Sequence, residues 1–559
     1  MTVDGARTAL ACLACVAALG ACTRGGDKLQ PLFVDAAKST GLVFNHVSGA
    51  SGDDFHLPWI MGAGVALIDY DNDGDLDVYF IQGGAIDVAS PGSPWNQLFR
   101  NELVPTGTLR FTDVSATAGV ADTGYGMGVA VGDVDNDGNL DLFVTNYGPD
   151  RLFRNNADGN FALVAGPWNN IPTPFSASAS FFDMDADGDL DLYVTGYAAL
   201  DDKPCFGASG RRDYCAPEMY RPVRDRLYRN DGDWRFTDVS AASGIHAAHA
   251  HGLGVVAADF TDDGLQDLFI ANDGRANSLW INNGDGSFAE RALASGVALN
   301  IDGMAEAGMG IALGDYDGDG SDDLFLSHFT GQTNTLYRNR GGGLFQDVTA
   351  AANLGTASLG FTGFGTGWID QDNDGWPDLF VANGTVAADS PGGVTDQAAY
   401  AQRNQFFRNL SNGQFEEITG FAKSDAGIQV SRGTAFGDVD NDGDTDIVVA
   451  NNNGPAELLL NRNTDSAWLR LVLIGTDSNR DAAGARVAIS MSGGATLWRH
   501  VATDGSYLSA NDRRVHFGLG GATAIERVQV IWPSGRREHW TGIAPRQEFT
   551  LVEGSGELQ

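Results

Sequence analysis

The sequence is poor in proline, cysteine and basic residues, and it has no long apolar run. Its 559 residues include 17 prolines, five cysteines, and 35 Lys and Arg against 73 Asp and Glu, so the net charge is −38. So acidic a chain repels phosphate backbones, which excludes nucleic acid as a partner. No apolar run reaches the ~20 residues that a membrane-spanning helix needs. We therefore expect a soluble mature chain that touches a membrane only through a lipid.

Glycine is abundant where proline is scarce. The chain has 74 glycines, and 43% of its residues are apolar. The apolar fraction is ample for a buried core, which excludes a disordered chain. Many glycines with few prolines indicate many tight turns, as in an all-β repeat protein, and not a collagen-like chain.

The N-terminus has the pattern of an export signal. An apolar stretch over residues 9–19 follows Arg7, and it is too short to span a membrane. It ends at Leu19-Gly20-Ala21-Cys22, which resembles a bacterial lipobox. We predict a lipoprotein signal peptide at 1–21 with lipidation of Cys22; the alternative is an ordinary signal with a chance cysteine. The protein is then exported to the cell envelope, as an outer-membrane-anchored lipoprotein or in secreted form.

Two cysteines remain in one polar stretch downstream, Cys205 and Cys215. Export places them in an oxidising compartment, where a local disulfide is expected and free thiols are disfavoured. A disulfide that closes so short a loop is expected to add roughly 2–3 kcal/mol to the free energy of unfolding, because it restricts the unfolded chain.

An Asp-rich nonapeptide, D-x-D-x-D-G-x-x-D, recurs along the chain. It begins at seven aspartates: Asp69, Asp133, Asp183, Asp259, Asp315, Asp370 and Asp438. Successive copies start 50 to 76 residues apart, and each leads into a short apolar run that reads as a strand. Four short strands per unit form one propeller blade. We therefore predict an all-β, seven-bladed propeller over 22–463, in which the fragment from Leu32 to Asp35 completes the last blade.

The nonapeptides are predicted calcium loops. Carboxylates on alternate residues of a tight loop converge on one point, and hard oxygen ligands favour Ca²⁺. Of the 28 side chains at positions 1, 3, 5 and 9, 27 are Asp, and position 7 varies, as expected if only its backbone carbonyl binds. The residues at positions 1, 3, 5, 7 and 9 are Asp69, Asp71, Asp73, Asp75 and Asp77; Asp133, Asp135, Asp137, Asn139 and Asp141; Asp183, Asp185, Asp187, Asp189 and Asp191; Asp259, Thr261, Asp263, Leu265 and Asp267; Asp315, Asp317, Asp319, Ser321 and Asp323; Asp370, Asp372, Asp374, Trp376 and Asp378; Asp438, Asp440, Asp442, Asp444 and Asp446.

Up to seven Ca²⁺ ions are expected, with a weak or empty fourth site because Thr261 replaces Asp at position 3. An EF-hand is excluded, since position 12 of the first loop is Phe80 within a strand and not Glu. The alternative is that the aspartates only form turns through side-chain-to-backbone hydrogen bonds.

Residues 464–559 differ from the rest in charge. They contain ten Arg, no Lys, five Asp and five Glu, so the whole net charge belongs to 1–463. Runs of alternating apolar and polar residues predict a small C-terminal β-sandwich-like domain. Its arginines are expected to form a second surface that can pair with carboxylates or sulfates if they cluster: Arg470, Arg499, Arg513, Arg514, Arg536 and Arg537.

Two sets of motifs resemble known families. The Asp loops with their preceding Gly-rich strands resemble FG-GAP/VCBS repeats. The segments Ser478-Asn479-Arg480, Gly505-Ser506-Tyr507-Leu508-Ser509 and Trp532-Pro533-Ser534-Gly535 resemble the ASPIC/UnbV domain. Together they resemble the cartilage acidic protein family, with this chain as a bacterial lipoprotein-like member. The resemblance implies a secreted Ca²⁺-binding propeller linked to adhesion, with no catalytic residues to carry over.

No catalytic motif is present. The sequence contains no Gly-x-Ser-x-Gly, His-Glu-x-x-His or Walker loop. Three close histidines, at 246, 249 and 251, lack a nearby Cys or Glu to complete a zinc site, and we interpret them as a surface turn. Asp302 and Glu306 could act as paired carboxylates on a glycan. The sequence thus predicts extracellular binding or adhesion to a protein or glycan; the alternative is a propeller enzyme that acts on a polysaccharide or small molecule.

Overall fold

The computed structural model describes residues 31–52, 54–86, 93–171, 175–201, 203–387, 396–463 and 466–558. Within them, strands dominate and helices are short. The predicted signal peptide and Cys22 lie outside the described residues. The α-helices are α1 (Ala37–Thr40), α2 (Pro58–Met61), α3 (Leu103–Thr106), α4 (Ser115–Ala118), α5 (Ala292–Ser295), α6 (Gly355–Ser358) and α7 (Gln397–Tyr400), with 3-10 turns at Pro167–Asn170, Pro217–Met219 and Ile245–Ala247.

Each Asp-loop unit folds into one antiparallel sheet, a blade. Its apolar triplet is buried because both faces of the blade are covered by neighbouring blades; in the first unit, Val78, Tyr79 and Phe80 are all fully buried. Blades 1 to 3 contain, from the inner to the outer strand, β2 (Val65–Ile68), β3 (Asp77–Phe80), β4 (Gln97–Asn101) and β5 (Phe111–Asp113); β6 (Tyr125–Gly132), β7 (Asp141–Tyr147), β8 (Arg151–Asn155) and β9 (Phe161–Val164); β10 (Ser176–Phe182), β11 (Asp191–Gly196), β16 (Arg226–Asn230) and β17 (Phe236–Asp238).

The remaining four blades repeat this order. Blades 4 to 6 contain β18 (Gly252–Ala258), β19 (Asp267–Asn272), β20 (Ser278–Asn282) and β21 (Phe288–Glu290); β22 (Ile311–Gly314), β23 (Asp323–Leu326), β24 (Thr335–Asn339) and β25 (Phe345–Asp347); β26 (Gly363–Ile369), β27 (Asp378–Asn383), β28 (Gln405–Asn409) and β29 (Phe415–Glu417). Blade 7 contains β31 (Ser431–Gly437), β32 (Asp446–Asn451), β33 (Glu457–Asn461), β1 (Phe33–Asp35) and β30 (Ala422–Lys423).

The N-terminal strand closes the ring, as the sequence predicts. β1 pairs antiparallel with β33, with Phe33 opposite Asn461, so the last blade takes an outer strand from the start of the chain. Each inner strand packs against the next one, and β31 packs against β2. The seven sheets therefore follow one another around a common centre, and the predicted propeller is confirmed.

Blade 3 carries the long insertion that contains the two cysteines. Its strands are β12 (Ala198–Ala199), β13 (Cys205–Phe206), β14 (Arg212–Asp213) and β15 (Arg221–Pro222). Cys205 and Cys215 are joined by a disulfide, which confirms the sequence-based expectation.

The C-terminal module forms two sheets around its own apolar core. The three-stranded sheet has the order β37 (Val515–Gly520), β34 (Ala467–Ile474) and β40 (Gln547–Val552). The five-stranded sheet has the order β36 (Thr496–His500), β35 (Arg486–Met491), β38 (Ile525–Ile531), β39 (Arg537–Trp540) and β41 (Glu557–Leu558). Leu471, Val487 and Phe517 lie fully buried between them, so the predicted sandwich-like fold is confirmed. In the described part of the chain, no helix has the length and apolarity to cross a membrane.

Candidate metal centres and the two faces of the propeller

The seven Asp loops lie on one face of the ring. Each loop joins the inner strand of a blade to its second strand, and its ninth residue, such as Asp77 or Asp446, begins the second strand and is buried. We call this side the loop face and the opposite side the upper face. Because the inner strands run in the same direction, the sequence repeat itself places all seven loops on the loop face.

Carboxylates converge within individual loops. In each of the following groups, one carboxylate oxygen per residue lies within 4.8 Å of the others. The groups are Asp69, Asp71 and Asp77; Asp133, Asp135 and Asp141; Asp183, Asp185 and Asp191; Asp315, Asp317 and Asp323; and Asp370, Asp372 and Asp374. Four of the five combine positions 1, 3 and 9, which the sequence analysis assigned as ligands.

Internal hydrogen bonds hold each loop in shape without using all of its oxygens. In the first loop, Asp69 accepts the backbone N–H groups of Asp73 and Gly74, each at 3.1 Å, and Asp73 accepts that of Asp75 at 2.9 Å. One side-chain oxygen at position 3 takes no part in these hydrogen bonds. In five loops it is buried and has no hydrogen-bond partner: Asp71 Oδ1, Asp135 Oδ1, Thr261 Oγ1, Asp317 Oδ1 and Asp440 Oδ1.

These unpartnered oxygens fit a hard cation. A buried acceptor without a donor is costly, and a bound Ca²⁺ would satisfy it together with the neighbouring carboxylates. Burial raises the pKa of Asp133 to about 7 and that of Asp141 to about 8, with repulsion between carboxylates adding to both. A cation among them would favour the ionised forms and reverse these shifts. The donor set therefore fits a hard, oxygen-binding cation such as Ca²⁺, which the side chains at positions 1, 3 and 9 would hold.

In six of the seven blades a buried asparagine links the blade to its neighbour, a feature that the sequence analysis missed; the equivalent Asn339 of blade 5 donates to Asp322 in its own blade. In blade 4, the Asn282 amide donates to the carbonyl of Met184 in the preceding Asp loop at 2.8 Å and to that of Gln266 at 3.1 Å. Its backbone N–H donates to Asp267 at 2.8 Å. Equivalent residues that bridge to the preceding blade are Asn101, Asn155, Asn230, Asn409 and Asn461. The signal was visible as an Asn that ends the third strand of every unit.

Adjacent Asp loops also touch through their side chains. The asparagine at position 4 donates to position 7 of the next loop, as Asn72 does to Asn139 at 2.9 Å and Asn373 to Asp444 at 2.7 Å. The same bond joins Asn136 to Asp189 and Asn441 to Asp75. The side chain at position 7 therefore links neighbouring loops in these four cases, whereas the predicted binding of the metal by its backbone carbonyl stays a prediction. Where position 4 is not Asn, position 7 of the next loop is Leu265, Ser321 or Trp376.

The C-terminal module covers the loop face. Arg470 lies 2.5 Å from Asp438 and donates to Asn441 at 2.8 Å. Further contacts reach other loops: Arg480 N to Asn136 Oδ1 at 2.8 Å, Arg486 to Asp262 at 3.0 Å, His500 to Asp322 at 3.2 Å, His516 to Asn373 at 2.7 Å, and Arg514 to the Gly74 carbonyl at 3.4 Å. Cations of this module thus face the acidic loops of the same chain.

This contact corrects the expectation of a second arginine-rich binding surface. Of the six arginines, Arg470, Arg499 and Arg514 donate to the Asp loops. Arg513 pairs with Asp481 at 2.9 Å and Arg536 with Glu538 at 3.1 Å, so Arg537 is the one that lies exposed without such a pair among the described residues.

A loop of the C-terminal module, residues 501–512, enters the centre of the ring; we call it the hub loop. Ser506 exchanges backbone hydrogen bonds with Ile311, and Ala510 does so with Val65 and Leu67. Tyr507 and Leu508 are fully buried, and the Tyr507 ring lies 4.9 Å from that of Phe364. The inner strands approach closely enough that a Cβ on Gly64 would lie 2.1 Å from the Leu508 carbonyl oxygen. The Gly-rich inner strands therefore make room for the hub loop.

Other residues singled out in the sequence are not brought into one site. The interpretation of the three histidines as a surface turn is wrong for His251, which is fully buried, with Nε2 3.3 Å from the Tyr220 carbonyl. Glu306 is buried and accepts a hydrogen bond from Thr335 at 3.0 Å, whereas Asp302 is exposed. Glu306 also lies 3.8 Å from His328, whose pKa burial lowers to about 4. His251 and Glu306, the buried residues among these candidates, therefore have a structural role.

Comparisons with known proteins agree with this architecture. The sequence matches the family described as FG-GAP-like repeat over residues 69–144, 133–194, 259–326, 315–381 and 394–449, and the family described as ASPIC and UnbV over 475–558. It is 25% identical to cartilage acidic protein 1 of Xenopus tropicalis over 92% of this chain and 75% of that protein, and 25% identical to the human protein over 92% and 74%.

Among solved structures, similar chains include an Agrocybe aegerita lectin that recognises non-reducing terminal N-acetylglucosamine, and a Bacillus licheniformis rhamnogalacturonan lyase. The lectin is 15% identical over 71% of this chain and 93% of its own, with a TM-score of 0.40. The lyase is 13% identical over 78% and 76%, with a TM-score of 0.38. The family matches cover more than half of the sequence, and they fall on the blades and on the two-sheet module. The chain therefore belongs to the FG-GAP-like repeat family and carries a C-terminal ASPIC and UnbV domain.

Proposed function

We propose that this protein is a Ca²⁺-stabilised propeller that binds an extracellular protein or glycan through its upper face. The contrast between its two faces carries the proposal. On the loop face the Asp loops have one length, and the C-terminal module covers them. On the upper face, connections between second and third strands range from three residues, at 148–150, to 29 residues, at 197–225. Variable loops on a rigid scaffold are where binding surfaces are built.

Exposed apolar side chains support the same face. Trp95 is 41% exposed, Phe206 62%, Met219 52% and Met304 63%. All four lie on connections that lead to or from the upper ends of strands. Apolar side chains that form a contiguous exposed patch are characteristic of surfaces that contact a partner, and the proposal takes these four as members of such a patch.

In this proposal, calcium holds the blades in place and does no chemistry. The residues at positions 1, 3 and 9 bind it, and position 9 also accepts the backbone N–H of the strand-end asparagine, as Asp267 does from Asn282. Metal binding to the folded state alone stabilises that state. The enzyme alternative needs a pocket that brings catalytic groups together, and the hub loop occupies the loop-face end of the central channel.

Export to the cell envelope is part of the proposal. An extracellular partner requires it, and the signal-like N-terminus and the Cys205–Cys215 disulfide are consistent with it. Lipidation at Cys22 would keep the protein at the envelope surface.

A glycan and protein array tests the function. The Ca²⁺-loaded protein should show saturable binding that EGTA removes. Replacing Phe206 by Ser on the upper face should weaken that binding, whereas Leu163→Ser should not, because Leu163 is equally exposed, at 59%, on the outer strand of blade 2. Binding that is indifferent to Phe206, or turnover of a candidate ligand, would contradict the proposal.

A further inference from the structure

An arginine lies buried near the upper end of the central channel without a carboxylate partner. Arg432 is the second residue of the inner strand of blade 7 and is 0% exposed, and its guanidinium lies 3.9 Å from the centre of the Phe364 ring. Its N–H groups reach four backbone carbonyl oxygens: Ile60 at 2.7 Å, Gly384 and Ser431 at 2.9 Å, and Thr385 at 3.5 Å. Among the described residues, no Asp or Glu lies within 4 Å of it. A buried charge without a counterion is costly, so an anion here would be stabilising.

Two side chains with an unused N–H group, Arg432 and Trp59, line one narrow slot. A guanidinium has five N–H groups, so at least one on Nη2 is free beyond the long contact to Thr385. Trp59 lines the same slot, and its Nε1–H is buried without an acceptor. Tyr214 and Tyr400 form other parts of the wall, and the space is about 10 Å³, enough for one oxygen-sized atom. The slot therefore offers two N–H donors and a positive charge to a single small acceptor.

A larger apolar cavity adjoins the slot. It has a volume of about 220 Å³ and shares Ile60 and Tyr214 with the slot as walls. Phe364, on which the arginine stacks, is also in its wall, along with Met61 and Met309. An apolar cavity next to a few convergent polar groups is the usual form of a small-molecule site.

Two carboxylates set a limit on what this cavity accepts. Asp273 and Glu218 line it, and Asp273 accepts a hydrogen bond from Tyr197 at 2.7 Å. Burial raises the pKa of Asp273 to about 7, so at higher pH its negative charge adds to that of Glu218 and disfavours a second anionic group on the ligand. The ligand should therefore carry one carboxylate and an otherwise uncharged body.

We propose that the upper face binds an amphipathic monocarboxylate. One carboxylate oxygen enters the slot and accepts N–H groups from Arg432 and Trp59, and the apolar body fills the adjoining cavity. This inference shares the upper face with the proposed function. The carboxylate site is tested with small acids, and the proposed function with proteins and glycans. Either proposal can therefore fail while the other holds.

Isothermal titration of the full chain in chloride-free buffer tests the ligand class. Phenylacetate should bind saturably, while phenylacetamide, which has the same shape without the charge, should bind at least tenfold more weakly. Adipate, a dicarboxylate, should also bind more weakly than hexanoate. A peptide that ends in phenylalanine, with a free or an amidated terminus, tells whether the carboxylate can come from a polypeptide. Equal binding of phenylacetate and its amide, or a response to chloride alone, would overturn the proposal.

Variants test the residues. Trp59→Phe removes one donor to a charged acceptor and should lower phenylacetate affinity about tenfold or more. Arg432→Gln should abolish binding. Arg403→Gln is the matched control, because Arg403 also stacks on a phenylalanine, Phe361 at 4.7 Å, but is exposed and paired with Glu417. Because Arg432→Gln could unfold the ring, Trp59→Phe decides the matter: unchanged affinity in this folded variant would refute the site.

Discussion

The asparagines between blades predict a measurable loss of stability. Asn282 is 2% exposed, and its side chain makes three hydrogen bonds: to the carbonyls of Met184 and Gln266, and from the N–H of Gly284 at 2.9 Å. Asn282→Ala leaves all three partners without a replacement. At about 1 kcal/mol for each hydrogen bond, the substitution should lower the free energy of unfolding by about 3 kcal/mol.

This cost can be converted into a melting temperature. With an unfolding entropy of about 2 cal/mol/K per residue over the whole chain, 3 kcal/mol lowers Tm by about 2–3 °C if the molecule unfolds cooperatively. Differential scanning fluorimetry in saturating calcium resolves such a shift. Calcium must be saturating because the backbone of Asn282 contacts Asp267, a predicted metal ligand.

The next residue provides the control. Asn283 is exposed and donates to Ser287 at 3.0 Å. Its replacement by Ala removes a solvent-exposed bond and should change Tm by less than 1 °C, because surface substitutions cost within about 0.5 kcal/mol. If Asn282→Ala lowers Tm no more than Asn283→Ala does, the strand-end asparagines do not hold the blades together, and the reasoning is refuted.

Other predictions concern metal, anchoring and pH. EGTA should lower Tm by many degrees, with recovery in Ca²⁺, and Asp370→Ala should cost more than Asp259→Ala, whose loop already has Thr261; an unchanged melting curve in EGTA would refute structural calcium. Cys22→Ala should leave an unprocessed or soluble product, and normal membrane fractionation of that variant would argue against lipidation. Burial raises the pKa of Asp150 to about 7 in the folded protein. Between about pH 4 and pH 7, Asp150 is ionised in the unfolded chain but still protonated in the folded one, so the free energy of unfolding should fall as the pH rises. Asp150→Asn should reduce this dependence and stabilise the protein at pH 8; melting curves with equal pH slopes would contradict it.

The repeat made most of the fold predictable. A nonapeptide that leads into a buried triplet such as Leu142, Phe143 and Val144 fixes the phase of each unit, so the number of copies gave the number of blades. The closing strand was also predictable, because Phe33 and its neighbours match the outer strand of a unit. These inferences depend on local patterns that recur, and recurrence separates a signal from chance.

The packing of the C-terminal module was not predictable in the same way. Arg470 has no nearby sequence partner, and that of Arg514 is Asp512, two residues away. The contacts of both arginines with Asp438 depend on how the C-terminal module meets the propeller. The Gly-rich inner strands carried a partial signal, since small residues permit a close approach, but nothing in them indicates that Tyr507 would be the group that approaches. That the guanidinium of Arg432 is buried on backbone carbonyls without a carboxylate is likewise visible only in three dimensions.

The position of the hub loop has a consequence for the folding kinetics. Ala510 pairs with Val65, and Phe33 pairs with Asn461, so both contacts join residues more than 400 positions apart. Contacts between residues so far apart in sequence form slowly, because the chain must lose the entropy of a long loop before the contact stabilises it. Individual blades, whose contacts are local, should therefore form first, and the ring should be sealed only after nearly the whole chain has emerged. A nascent or truncated chain that stops near residue 463 would have a closed ring whose centre, lined by Gly64, Gly128 and Phe364, lacks the cover of the hub loop.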